Sequence, residues 1–456
     1  MNVLARLRSR RRLTGAGVAA IVALVAGACG VSGATAPKAE QGDIPAEVSK
    51  PTTISFWHVY TGADGTAIDA LVKKFEAANP NIKVEPQFVG GFADVHKKVV
   101  SALQAGSAPD VAIAYPPNVL EYAKSKRVLD LTPYVKKAGV GLSKSDISDI
   151  LPSELQRNRY SMNGGAYLSF PFAVNVAALY YNGDLLRKAG FDAPPRTWAE
   201  FERQCKAVKA LGKTCYAANA NASTLNAIAY SYGTSPVTPE GKASFDAPEW
   251  GDTLGLLGRL VNSGSAQLAS TGDAQTADQN EFVSGKAAFI IRPSRVAPFL
   301  SQAVGDKFKW NAAALPQAKQ TDTPTTALYG PGLVAFSSDA DRQLASWQFI
   351  RFLASAQTQA SWAMSTGNLP VRHSVQTDKS YAAYLKEHPA TAAAVGLTGG
   401  AHWEGAVGDQ GIVTYLPQKF RNSMEDIEAG VLSGAIKPVQ AQDQLQAQAT
   451  QALSAK

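Results

Sequence analysis

Between residues 52 and 115 the apolar positions switch repeatedly between a two-residue and a helical period. ISFW (Ile54 to Trp57) is a short apolar strand. AIDALVKKFEAANP follows, with Ile68, Leu71, Val72 and Phe75 at i, i+3, i+4 and i+7, one stripe of a helix that Asn79-Pro80 stops. IKVEPQFV then alternates as a strand. Asp94 is placed to cap a helix through Val95, Val99 and Leu103, Gly106 to Pro109 breaks it, and DVAIAY reads as a buried strand. Strand, helix, strand, helix, strand predicts an α/β fold with a largely parallel sheet and helices on both faces. At 456 residues the chain exceeds what one compact core of about 100 to 200 residues needs, so two lobes are expected.

In such sheets ligands bind beyond the carboxyl ends of the strands. That rule puts Trp57, His58 and Tyr60 at the mouth after the first strand, Phe92 after the second and Tyr115 after the third. A single loop aromatic is as readily an anchor packed on its own domain. Aromatics at successive strand ends suit a binding wall, because flat rings cover the C–H faces of a sugar while polar edges bond its hydroxyls.

The N-terminus bears on the compartment. Arg6, Arg8, Arg10, Arg11 and Arg12 form a basic run, and Gly15 to Gly27 is small and apolar but too short to span a bilayer, so residues 1–28 read as a secretory signal. Val25-Ala26-Gly27-Ala28-Cys29 resembles a bacterial lipobox, which would make Cys29 a lipid anchor. Ala26, however, stands where lipoboxes usually carry Leu or Val, and Ala26-Gly27-Ala28 is also an acceptable site for ordinary cleavage. Residues 29–51 have the composition of a flexible tether. The whole chain is +7; setting aside the five arginines of residues 1–28 leaves +2, which does not support a nucleic-acid footprint.

Cys205 and Cys215 lie in FERQCKAVKALGKTCYAA. In an oxidising compartment a local disulfide from helix to following strand is the economical reading, a buried free pair the alternative. Neither has a second ligand at zinc-like spacing, so no metal is expected.

ISFWHVYTG, KKFEAANPNIKVE, LQAGSAPDVAIAY and YLSFPFAVNVAALYYNGDLLRKAGFDAPPRTWAEF together resemble the extracellular solute-binding proteins of ABC importers, of the maltose-binding-protein type. EFVSGKAAFIIRPS and STGNLPVR are similar to later segments of the family, so the likeness runs over about residues 52 to 450. The resemblance implies a two-lobed periplasmic-binding-protein type II fold that closes on a hinge around a ligand. FPFAVNVAALYYN would be the first hinge segment, Ile291-Arg292-Pro293-Ser294 would return the chain to the first lobe, and Ser337 to Arg342 would leave it again. The lobes expected are 52–173 with 292–338, and 174–291 with 339–456.

By the same resemblance Tyr115 stands for a sugar-stacking tryptophan, Asn118 for a hydroxyl-binding aspartate and Asn175 for a glutamate. Against the family's glycerol-3-phosphate binders, Asn368 replaces a tyrosine, Pro116 an acidic residue, and AHWEGAVGDQGIVTYLPQ lacks an arginine. A phosphate without a guanidinium loses its best bidentate partner. A carbohydrate or polyol is therefore the expected ligand, with a glycerophosphodiester or glycerol 3-phosphate as the alternative.

Further candidates are Trp403 beside Glu404, a stacking ring next to an acceptor, or else a packed loop with a solvated carboxylate. Tyr329 and Gly330, with Gly332, suit close backbone approach to a ligand, or a plain tight turn. Arg292 is the one cation considered for an anionic ligand, its plainer reading an inter-lobe ion pair, and Ser294 could donate to a hydroxyl. The implied partners are a small carbohydrate-like molecule and an ABC permease, with the chain a lipid-anchored monomer outside the cell membrane, without cofactor.

An enzyme is the competing class. There is no H-E-x-x-H and no G-x-S-x-G, and His58, His96, His373, His388 and His402 show no mutual metal spacing. A secreted glycoside hydrolase would need two carboxylates at the mouth, for which Asp64 and Glu404 are the candidates. A structural lipoprotein would share the leader and tether but would need neither hinge nor aromatic mouth.

Overall fold

The structure is a computed structural model that describes residues 43–454 apart from 161–162, 273–274, 322 and 408–412. The leader, Cys29 and the tether as far as residue 42 lie outside the described residues.

The strands in chain order are β1 (Thr52–His58), β2 (Ile82–Phe88), β3 (Val111–Ala114), β4 (Arg159–Tyr160), β5 (Ala166–Tyr167), β6 (Phe170–Pro171), β7 (Asn175–Asn182), β8 (Thr214–Ala220), β9 (Ala266–Thr271), β10 (Ala287–Pro293), β11 (Trp310–Ala313), β12 (Thr326–Tyr329), β13 (Gly332–Ala335), β14 (Ala401–Trp403), β15 (Ala406–Val407) and β16 (Val413–Thr414). They form two main sheets. The first has the order β2-β1-β3-β13-β6, the second β14-β12-β7-β10-β8-β9, with β11 also pairing β7.

The first sheet grows from the alternating pattern at the start. β1 runs parallel to β2 and β3, with Phe56 opposite Val111 and Trp57 opposite Ala112. Helix Gly62–Ala78 buries Ile68, Leu71, Val72 and Phe75. Helix Phe92–Ala105 buries Val95 and Val99, takes the Gly91 amide on Asp94 Oδ2 at 3.0 Å, and ends at Gly106 in the left-handed region. One face of the sheet packs Ile54, Phe56, Val111 and Ile113 against Trp347, Phe349 and Ile350 from helix Ala340–Leu353 and Trp362 from helix Ala356–Thr366. Each large side chain withdrawn from water in this way contributes about 1.5–3 kcal/mol. The second sheet has its own cores, one of them centred on Phe201, Trp250, Leu257 and Phe289, and there Cys205 on helix Trp198–Ala210 and Cys215 on β8 are joined by a disulfide, Cα atoms 5.0 Å apart.

Strand pairing corrects the expected lobe boundaries. β10 lies between β7 and β8, and β11 and β12 both pair β7, so Ile291 to Pro293 remain in the second sheet. The chain returns to the first lobe at Gly332, where β13 enters antiparallel between β3 and β6. It does not leave at Ser337 to Arg342, because the next two helices pack into the first core. The third crossing follows Gly367, where the Leu369 amide donates to the Val174 carbonyl at 2.8 Å, but the chain then turns back. The Val371 carbonyl accepts the Leu151 amide, Arg372 pairs with Asp149, and helices His373–Gln376 and Lys379–Glu387 pack on Ala363 of helix Ala356–Thr366. The first lobe is thus 52–171 with 332–366 and the segment 371–387 packed on it, and most of the remainder belongs to the second.

Three crossings therefore lie side by side, and two features hold them. A Cβ on Gly330 would stand 2.0 Å from the Ala173 carbonyl oxygen, so only glycine lets the first and second crossings touch. Asn175 Oδ1 accepts from Ser294 Oγ at 3.3 Å and the Arg295 amide at 3.2 Å, its Nδ2 donates to Asn368 Oδ1 at 3.0 Å, and Asn368 Nδ2 donates to Thr366 Oγ1 at 2.8 Å. Among the described residues no helix is long and apolar enough to cross a membrane.

Candidate functional site

A pocket opens where the two lobes meet the crossings. Tyr115, Pro116, Pro117 and Arg157 come to it from the first lobe. Tyr329 and Gly330 come from the second crossing, and Trp403, Glu404, Tyr415 and Arg421 from the second lobe. Tyr115 is held where β3 gives way to helix Pro116–Ala123, whose two N-terminal prolines are preset for a helix start. Phe92 stands behind it, ring centroids 4.6 Å apart. Trp403 ends β14, with its carbonyl accepting from the Tyr230 hydroxyl at 2.9 Å.

Both arginines of the pocket are countered by carboxylates of the chain. Arg157 bonds Glu154 Oε2 through Nε and Nη2 at 2.9 and 2.8 Å, both side chains being almost fully buried. It donates from Nη1 to the Gly330 carbonyl at 2.8 Å, and its Cζ lies 4.3 Å from the Trp403 ring centroid, a cation–π contact between the lobes. Burial pushes the Glu154 carboxyl up, and Arg157 pulls it back. Arg421 lies 3.0 Å from Glu404 Oε2 and donates to Ser223 Oγ at 2.9 Å, while Glu404 Oε1 accepts from Asn226 Nδ2 at 3.1 Å. Three buried atoms here find no hydrogen-bond partner among the described residues: the donor Trp403 Nε1 and the acceptors Asn226 Oδ1 and Glu154 Oε1. Among the described residues no group of three or more His, Cys, Asp or Glu is arranged to hold a metal.

Residues 70–390 match the model of a family described as bacterial extracellular solute-binding protein. The chain belongs to this family. Over 339 residues it is 26% identical to the sn-glycerol-3-phosphate-binding periplasmic protein UgpB of Escherichia coli strain K12, a match covering 70% of this chain and 74% of UgpB. Its fold is similar to that of UgpB from Mycobacterium tuberculosis, solved with glycerophosphocholine, at a TM-score of 0.76 and 21% identity over 88% of this chain and 98% of that one. It is also similar to the GacH receptor of Streptomyces glaucescens GLA.O, solved unliganded and with acarbose, at a TM-score of 0.74 and 22% identity over the same shares. The fold is the two-lobed, maltose-binding-protein-like type.

In this solute-binding protein the pocket gathers Tyr115, Tyr329, Gly330, Trp403 and Glu404 of the residues expected from the sequence. The others have different work. Trp57 packs on the core of Val95 and Val99. His58 and Tyr60 face the opposite core: the Tyr60 ring meets Trp362 edge-on at 4.9 Å, and His58 Nδ1 accepts the Tyr60 amide at 3.2 Å. Asn118 is buried on helix Pro116–Ala123, outside the pocket lining. Asn175, Ser294 and Asn368 are consumed in the hinge network rather than offered to a ligand. Arg292, 3% exposed, pairs with Asp278 through Nε at 2.7 Å and donates to the Gln275 carbonyl at 2.7 Å, an ion pair inside the second lobe that leaves no cation for a ligand. Gly330 serves the backbone crossing, and Gly332 likewise, its absent Cβ making room for Asn158 Oδ1. Burial raises the pKa of Asp64, with Arg295 drawing it down.

Arg157, Pro117, Tyr415 and Arg421 were missed. The stretch without an arginine ends at Gln418, yet helix Gln418–Leu432 carries Arg421 back into the pocket within its first turns. A search for cations one helical turn past the loop would have found it.

Proposed function

We propose that this protein is the substrate-binding component of an ABC importer, capturing a carbohydrate or related polyol between its lobes and passing it to the membrane permease. It binds and releases its ligand without making or breaking a bond. It works outside the cell membrane as a monomer, held there by a lipid on Cys29 or, if the alanine site is cut instead, free of an anchor. The observation that carries this reading is the aromatic pocket built from both lobes at the hinge, with Tyr115 on one side and Trp403 and Tyr415 on the other. Such a site is completed only when the lobes come together, as a receptor that must also release requires.

A second reading is a ligand of the glycerol 3-phosphate or glycerophosphodiester class. Arg421 in the pocket favours it, as does the similarity to UgpB. A thermal-shift panel separates the two, using mono-, di- and trisaccharides, polyols, glycerol 3-phosphate and glycerophosphocholine. A ligand at 100 times its Kd adds about 2.7 kcal/mol of stability. A rise with one sugar class upholds the first reading, and a rise with phosphate esters alone replaces it with the second. An unchanged ligand recovered after long incubation separates binding from hydrolysis.

A further inference from the structure

We infer that Glu404 sets the charge of the ligand: by occupying Arg421 it makes the pocket take an uncharged polyhydroxyl compound and refuse its phosphate-bearing counterpart. This rests on the receptor reading and adds which member of the ligand class it selects.

The pocket holds two guanidinium groups, which alone would mark an anion site. Each is matched inside the protein. Arg157 is bonded to Glu154 with both side chains buried, and Arg421 to Glu404 with only 12% and 9% of those side chains exposed. The carboxylate of Glu404 is also fixed from its other oxygen by Asn226, so it cannot swing away without giving up two partners. A phosphate approaching Arg421 would meet the Glu404 charge within a few ångströms in a poorly hydrated site, where like charges repel far more strongly than in water.

The unmatched groups point the same way. Trp403 Nε1 is a donor without an acceptor, and Asn226 Oδ1, beside Glu404, an acceptor without a donor. A hydroxyl both donates and accepts and so can answer both kinds of demand, and a neutral polyol carries hydroxyls where a phosphate ester carries acceptor-only oxygens.

The test compares wild-type protein with Glu404→Gln, which keeps the shape of the side chain and, through its one remaining acceptor oxygen, the bond to Arg421, while removing the charge and the acceptor for Asn226 Nδ2. Binding of glycerol 3-phosphate, glycerophosphocholine and a neutral sugar panel is measured by titration calorimetry. Glu404→Gln is expected to bind glycerol 3-phosphate at least about 10-fold more tightly than wild type, about 1.4 kcal/mol. The gain should weaken with added salt and vanish in Glu404→Gln/Arg421→Gln, responses that a merely structural role for Glu404 would not produce. If Glu404→Gln does not fold, competition on the wild type decides: excess glycerol 3-phosphate should fail to displace a neutral sugar. Wild-type protein that binds either phosphate ester as tightly as any sugar overturns the inference, as does a folded Glu404→Gln without the gain. Wild-type protein that binds none of the probes overturns the receptor reading, while a gain in the variant would still uphold the role of Glu404.

Discussion

Burial lowers the pKa of His58, with the Asp69 charge opposing it, and the imidazole accepts the Tyr60 amide on Nδ1, which only the neutral ring can do. Unfolded, the same ring takes up a proton near pH 6.5. Below that pH the unfolded chain binds more protons than the folded one, so the contribution of His58 is intact above the unfolded value and is lost as the pH falls. Denaturant midpoints measured from about pH 7.5 down to about pH 5 should fall, and His58→Asn, whose side-chain oxygen can still accept the amide, should fall less steeply. Trp403 belongs to the ligand instead. Trp403→Ala removes the ring that closes the pocket against Arg157 and should weaken binding by about 10- to 100-fold, read by calorimetry on a ligand from the panel.

The elements nearest the N-terminus were legible because their order is local: each strand and helix from Thr52 to Ala114 is set by its own period and its own stop signals. The aromatic mouth was half legible for the same reason. Tyr115 follows the strand-end rule, while alternation sends Trp57 and His58 to opposite faces of β1 and into two different cores. The hinge was misplaced because Arg292-Pro293-Ser294 looks like an exit from a sheet, and only long-range pairing puts β10 in the middle of the second one. Asn175 and Asn368 are 193 positions apart, and no local pattern joins them. Their bond makes a prediction at this scale: Asn368→Ala leaves Asn175 Nδ2 buried without its acceptor, and chemical denaturation should show a loss of about 1–3 kcal/mol. Removing the helix-to-strand cross-link with Cys205→Ala/Cys215→Ala, which opens a short loop, should cost about 2–3 kcal/mol in the same assay.

At the scale of the molecule, two lobes share one pocket and three adjoining crossings, so ligand binding and lobe movement are the same event. Small-angle X-ray scattering should give a lower radius of gyration when a ligand from the panel is added, and an unchanged value with a compound that gives no thermal shift. The placement of β13 has a consequence for the order in which the protein can assemble. It is the fourth strand of the first sheet, wedged between β3 and β6, yet it lies more than 150 residues beyond β6 in the chain. Until Gly332 to Ala335 emerge, β3 keeps a bare edge and β6 has no neighbour in that sheet. A growing or translocating chain therefore carries an unsealed, sticky first lobe through the making of most of the second, the interval in which a chaperone has the most to protect.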